Sequence, residues 1–168
     1  MTATFINSFI LFFVTIDTIG NLPFFLSLTE DSKIRERNQI AIKSTIIAFF
    51  IMITFAYVGR YLLEAIGVSL DSLKIAGGVI LMVLAIDILF EKRKRRREKR
   101  VEEVFDEKSF DEIAVFPIAI PFIAGPSALT TIILLIGNYK NFPEFQVPVI
   151  LALVTALFVG LILMIGAS

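Results

Sequence analysis

The sequence predicts an all-α integral membrane protein, and three features carry that prediction. Of its 168 residues 57% are hydrophobic and the mean hydropathy is +0.84, which leaves too little polar surface to cover a soluble domain of this size. The charged residues gather in a few short stretches, so several windows reach the roughly 18–20 apolar residues of a bilayer-crossing helix. Two of those windows are interrupted by groups that hydrocarbon cannot solvate, which marks them as segments that do more than span.

The first predicted span covers about residues 4–28, and its middle reads Ile16-Asp17-Thr18-Ile19-Gly20-Asn21-Leu22-Pro23. A charged side chain at the centre of a spanning helix costs roughly 2.5–3.5 kcal/mol, so Asp17 requires a use. Gly20 weakens the helix, and Pro23 both lacks an N–H and crowds the carbonyl one turn earlier, at Ile19. A broken helix lining a polar site is the expectation. No basic residue precedes the run, and it is longer than the roughly 7–15 residues of a signal-peptide core, so it is read as a retained membrane helix.

A charged connector over residues 30–43 leads to a second span at 44–63, whose far end carries Arg60, Tyr61 and Glu64 at headgroup depth. After a short loop, Asp71 or Ser72 is expected to cap a third span at 73–90, which holds Ala76-Gly77-Gly78 near its start and Asp87 near its end. The run at 91–100 is dominated by Lys and Arg, and an acidic stretch follows to Glu112. This low-complexity segment reads as a solvated linker, with the acidic stretch opposing any nucleic-acid role. A fourth span at 113–136 is interrupted by Pro117, Pro121 and Gly125-Pro126, and a fifth covers 145–165. The fold predicted is therefore one transmembrane domain of five helices: a three-helix unit at 1–90, the linker at 91–112 and a second, incomplete unit at 113–168.

Basic residues set the orientation. Thirteen fall in the first and third connectors and three in the second and fourth, which places loops 29–43 and 91–112 in the cytoplasm and the N-terminus outside a cell membrane.

The two interrupted spans echo each other. Ile16 to Asn21 can be laid over Ile120-Pro121-Phe122-Ile123-Ala124-Gly125, with Pro23 and Pro126 close behind. Three spans separate their starts, so they enter the bilayer from opposite faces, as in an inverted repeat whose paired broken helices hold a site near the midplane. A half-helix that starts at such a break presents N–H groups with partial positive charge, and one that ends there presents carbonyls. Two facing breaks suit a small zwitterion. Gly20 and Gly125 permit close backbone approach, while Asn21, Ser127, Thr130 and Thr131 add neutral hydrogen-bonding groups.

The chain has no Cys and no His, which excludes disulfides and thiol chemistry and removes the commonest metal ligand and general base. No cofactor, resident metal or enzymatic activity is expected. Each polar residue also has a structural alternative: Asp17 paired within the bundle, Asp87 reaching water beside Glu91 and Lys92, the prolines as plain kinks, and the threonines bonded to their own backbone.

At these motifs the chain resembles the MarC family of bacterial and archaeal inner-membrane proteins. The matching stretches are residues 16–23, Leu73-Lys74-Ile75-Ala76-Gly77-Gly78 with Ala85-Ile86-Asp87-Ile88-Leu89-Phe90, and Ala114-Val115-Phe116-Pro117 running through Ala124-Gly125-Pro126. The resemblance implies six spans, an inverted repeat and transport of small neutral amino acids, with a sixth helix expected after Ser168. Thr18 stands where the family usually has proline, and Ser127 where it often has glycine. The expected site is Asp17, Thr18, Gly20, Asn21, Pro23, Gly125, Pro126, Ser127 and Thr130, with Asp17 and Asp87 as candidates for coupling to H⁺ or Na⁺. The partners implied are a small zwitterionic substrate and the lipid bilayer, and the composition admits a homo-oligomer without requiring one. From a different class comes a non-transporting assembly subunit whose intramembrane polar groups serve only helix packing.

Overall fold

A computed structural model describes residues 1–30, 32–89, 110–139 and 142–167. The regular elements of the described residues are all helices, in the order α1 (Thr2–Ile16), α2 (Leu22–Leu28), α3 (Ile34–Ala65), α4 (Leu70–Leu89), α5 (Phe110–Ile113), α6 (Ala114–Ile123), α7 (Pro126–Asn138) and α8 (Pro143–Gly166). Most of the charged linker expected at 91–112 lies outside the described residues; its last three belong to α5.

Two helices, α3 and α8, are long and apolar enough to cross a membrane, with mean hydropathy of 2.0 and 2.9 over their best windows. The segment 111–123 and α7 qualify together as a third span, bent by 60° at the break between them. At about 1.5 Å per residue, the 32 residues of α3 reach well past a hydrocarbon core of roughly 30 Å. Its first turns therefore extend into the connector expected at 30–43, which is helix from Ile34 onward. The turn into it is closed by Arg37, whose guanidinium donates to the Thr29 carbonyl at the end of α2 (2.8 and 3.3 Å). Lys43 then pairs with Asp111 of α5 at 2.6 Å. Ser69, rather than Asp71 or Ser72, caps α4: its Oγ accepts the Ser72 N–H at 3.0 Å.

Packing has the character expected in lipid, where apolar bulk gains nothing by turning inward. The inner face of α3 carries Ala41, Ser44, Thr45, Ala48, Ala56 and Gly59, and that of α8 carries Ala152, Ala156 and Gly160. Large side chains such as Phe50, Val154, Phe158 and Ile162 stand outside. Small residues let the backbones close in. A Cβ on Gly59 would lie 2.6 Å from Ile133 Cγ1 of α7, and one on Gly77 of α4 would lie 2.6 Å from Thr130 Cγ2. α3 thus packs on α6, α7 and α8, α1 lies along α8 and α7, and α4 leans on α7.

Gly59→Val should push α3 off α7 and lower stability by about 1–3 kcal/mol, read as a fall in thermal midpoint of the detergent-solubilised protein. An unchanged midpoint would mean that this contact is not close-packed.

Candidate functional site

The first break is built by a left-handed residue. α1 stops at Ile16 because Asp17 adopts φ 53°, ψ 54°, a conformation that Asp tolerates better than most side chains, and its N–H returns to Val14 O at 3.2 Å. The Asp17 carboxylate folds back over the turn: a Cβ on Gly20 would meet its Cγ at 2.7 Å, so a side chain there would displace the carboxylate from this position. Asn21 stands at the N-cap of α2, with Pro23 in that helix's first turn. The expected crowding of Ile19 by Pro23 does not arise, because the chain has already left the helix; proline here starts α2 rather than kinking α1.

The second break has a different cause. Within α6, Phe116 (φ −135°, ψ 121°) and Ile120 (φ −128°, ψ 124°) are extended, as residues preceding proline are pushed to be, and the peptides to Pro117 and Pro121 are cis. The segment ends on a wide turn in which Ala124 N–H donates to Ala119 O, five residues back, at 2.9 Å. Gly125 follows as the N-cap of α7 and Pro126 opens that helix. A Cβ on Gly125 would lie 2.6 Å from the Pro121 carbonyl oxygen, so glycine is needed for room, not for its dihedral freedom.

The two breaks cross and hold each other. Asn21 Nδ2 donates to Ile16 O at 2.6 Å and to Phe122 O at 2.9 Å, linking the start of α2 to the end of α6. Ser127 Oγ donates to Thr15 O at 3.0 Å, linking the start of α7 to the end of α1. The end of each of α1 and α6 is thereby met by a side chain from a helix that begins, Ser127 of α7 on a carbonyl of α1 and Asn21 of α2 on a carbonyl of α6. Phe24 and Phe122 pack beside the bonds, ring centres 5.9 Å apart.

Beneath the crossing lies a cavity of about 20 Å³ lined by Thr18 and Asn21 of the first break, Ile123 of the second, Thr45 of α3, and Gly160 and Met164 of α8, among others. Asp17 is half-buried at the rim of the turn, Gly125 and Ser127 are buried, and Pro23 and Pro126 face outward. Thr130 is turned to Gly77 of α4, away from the cavity, and Thr131 Oγ1 bonds Ser127 O within α7 at 2.9 Å. Asp87 falls in α4 with its side chain outside the described residues. Among the described residues no three acidic side chains come together as a metal site would need.

The chain matches, over residues 2–168, the family model described as MarC family integral membrane protein. It belongs to the MarC family. It is 44% identical over 132 residues to a UPF0056 membrane protein of Archaeoglobus fulgidus, a match covering 78% of this chain and 61% of that protein. A UPF0056 membrane protein of Methanocaldococcus jannaschii is 31% identical over 165 residues, 98% of this chain and 78% of that protein. The UPF0056 inner membrane protein YhgN of Escherichia coli is 29% identical over 136 residues, 81% of this chain and 66% of its own. No solved structure matches.

In this MarC-family chain the cavity draws on residues the sequence did not single out, above all Thr45 and Gly160. Ala152, Ala156 and Gly160 recur at every fourth position of α8, a small-residue spacing that marks a close-packed face and would have pointed to it.

Asn21→Ala removes the donor from two buried carbonyls and should cost about 1–2 kcal/mol, against about 0.6 kcal/mol for Ser127→Ala. Gly125→Ala should cost about 1–3 kcal/mol through its clash with Pro121 O. Unfolding in denaturing detergent checks all three, and an Asn21→Ala protein as stable as wild type would remove the latch.

Proposed function

We propose that the chain forms the crossing of a carrier, rather than an enzyme, that moves small neutral amino acids such as glycine or alanine across the cell membrane by alternating access. The observation that supports this most is the reciprocal bonding of two interrupted segments inside the bundle, Asn21 to Phe122 O and Ser127 to Thr15 O. Such ends carry partial charges of both signs, and a zwitterion can replace their mutual partners one for one. On this reading a five-span, inverted-repeat topology with its N-terminus outside sets the two breaks against each other. Asn21 and Gly125, which the sequence echo superposes, both stand at N-caps, in keeping with it. Asp17 takes the substrate ammonium or a coupling H⁺ or Na⁺, with Asp87 as a second coupling candidate, and Gly125-Pro126-Ser127 presents a helix start to the carboxylate. A cavity of about 20 Å³ is too small for an amino acid, so the carrier reading requires the crossing to open.

That same closure favours a second reading, a non-transporting assembly subunit in which the bonds at the crossing serve packing alone.

Uptake or counterflow of labelled glycine in proteoliposomes separates the two. Transport is expected in the wild type and is expected to be lost in Asp17→Asn with the fold retained. No counterflow of any small amino acid, and no thermal shift with them, would leave the assembly reading.

A further inference from the structure

Thr18 follows the left-handed Asp17 at the first break and is 6% exposed. It seats against α8 where that helix has no side chain: a Cβ on Gly160 would lie 3.2 Å from Thr18 Cγ2 and 3.9 Å from Thr18 Oγ1. The hydroxyl oxygen is sealed from solvent and has no hydrogen-bond partner. Its polar neighbours at the cavity wall are engaged elsewhere: Asn21 commits both amide protons, to Ile16 O and Phe122 O, and Thr45 Oγ1 gives its proton to Ala41 O at 2.8 Å. Burying an unmet hydroxyl is unfavourable, and valine has the same shape without that cost. While the crossing is closed, therefore, the Thr18 oxygen counts against the fold.

The same wall holds the groups that would need it in another arrangement. Ile16, whose carbonyl Asn21 holds, borders the cavity, and so does Ile123, which follows the other carbonyl in the chain. Release of Asn21 would strand both carbonyls in an apolar bundle, with a spare O–H beside them. We infer that Thr18 is a reserve donor for the crossing: unbonded while Asn21 holds the two carbonyls, and bonded to one of them when Asn21 lets go. The closed crossing is thereby made less stable and the released one more stable, which narrows the gap between them. This inference concerns the latch alone and does not rest on the carrier reading.

A double-mutant cycle on the full chain in nanodiscs tests it, because the two states of the latch give Thr18→Val opposite signs. With Asn21 present, Thr18→Val should raise the thermal midpoint by about 2–4 °C, since it deletes an unmet hydroxyl and keeps the shape. In an Asn21→Ala background it should lower the midpoint by a similar amount, since the stranded carbonyls lose their replacement donor. Thr18→Ser, which keeps the hydroxyl and loses the methyl, should shift both backgrounds in the same direction. A fall or no change with valine in the first background would mean that the hydroxyl is already bonded, and a rise in both would mean an orphan with no reserve role; either overturns the inference. Hydrogen exchange gives a reading that needs no Asn21 variant. Amides of the turn at 17–21 should exchange about 5-fold more slowly in Thr18→Val than in wild type, and unchanged or faster exchange also overturns the inference.

Discussion

The structure depends on how a helix can end where there is no water. Four carbonyls at a helix C-terminus and four N–H groups at an N-terminus lack partners within the helix, and hydrocarbon offers none. Two such ends are placed at each of two breaks here, and side chains at the helix starts serve the carbonyls: Asn21 reaches Phe122 O and Ile16 O, and Ser127 reaches Thr15 O. Together they form a polar knot in an apolar bundle, and the remaining helices are arranged to enclose it.

Enclosure is achieved with small side chains. α8 brings Ala156 and Gly160 to the cavity beneath the crossing, α3 brings Thr45, and Gly59 and Gly77 let α3 and α4 settle on α7. Large side chains lie on both sides: Phe12, Phe25, Met52, Ile132 and Leu153 fill the core between these close approaches, while Phe50, Phe158 and Ile162 stand outside. In this integral membrane protein of the MarC family the space beside the breaks is small, about 20 Å³, and lined by three polar residues among apolar ones.

The breaks were legible in the sequence because their residues conflict with the medium. Asp17, Gly20 and Pro23 in one apolar run, and Pro117, Pro121 and Gly125-Pro126 in another, have no ordinary place in a straight span. The mechanism of each break was less legible. Pro23 looked like the agent of the first interruption, yet the left-handed Asp17 ends α1 beforehand and leaves Pro23 as a helix starter. Thr130 looked like part of the site because it follows the second break by about one turn, but helical rotation turns it to Gly77. The cap of α4 fell on Ser69, since a cap depends on where the first free N–H points, which composition near the helix start only narrows.

By itself the sequence determined that the chain is helical, that it lies in a membrane, and where its spans are interrupted, because hydropathy and helix-breaking chemistry are local properties that need no partner. Only the tertiary structure decided which groups meet: that Asn21 bonds a carbonyl 101 residues away, that Ser127 closes α1, and that Thr18 and Thr45 share a cavity. Those pairings follow from the crossing of segments distant in the chain. The direction a side chain takes there depends on the dihedral of Asp17 and the 60° bend before α7, which no pattern of residue types encodes.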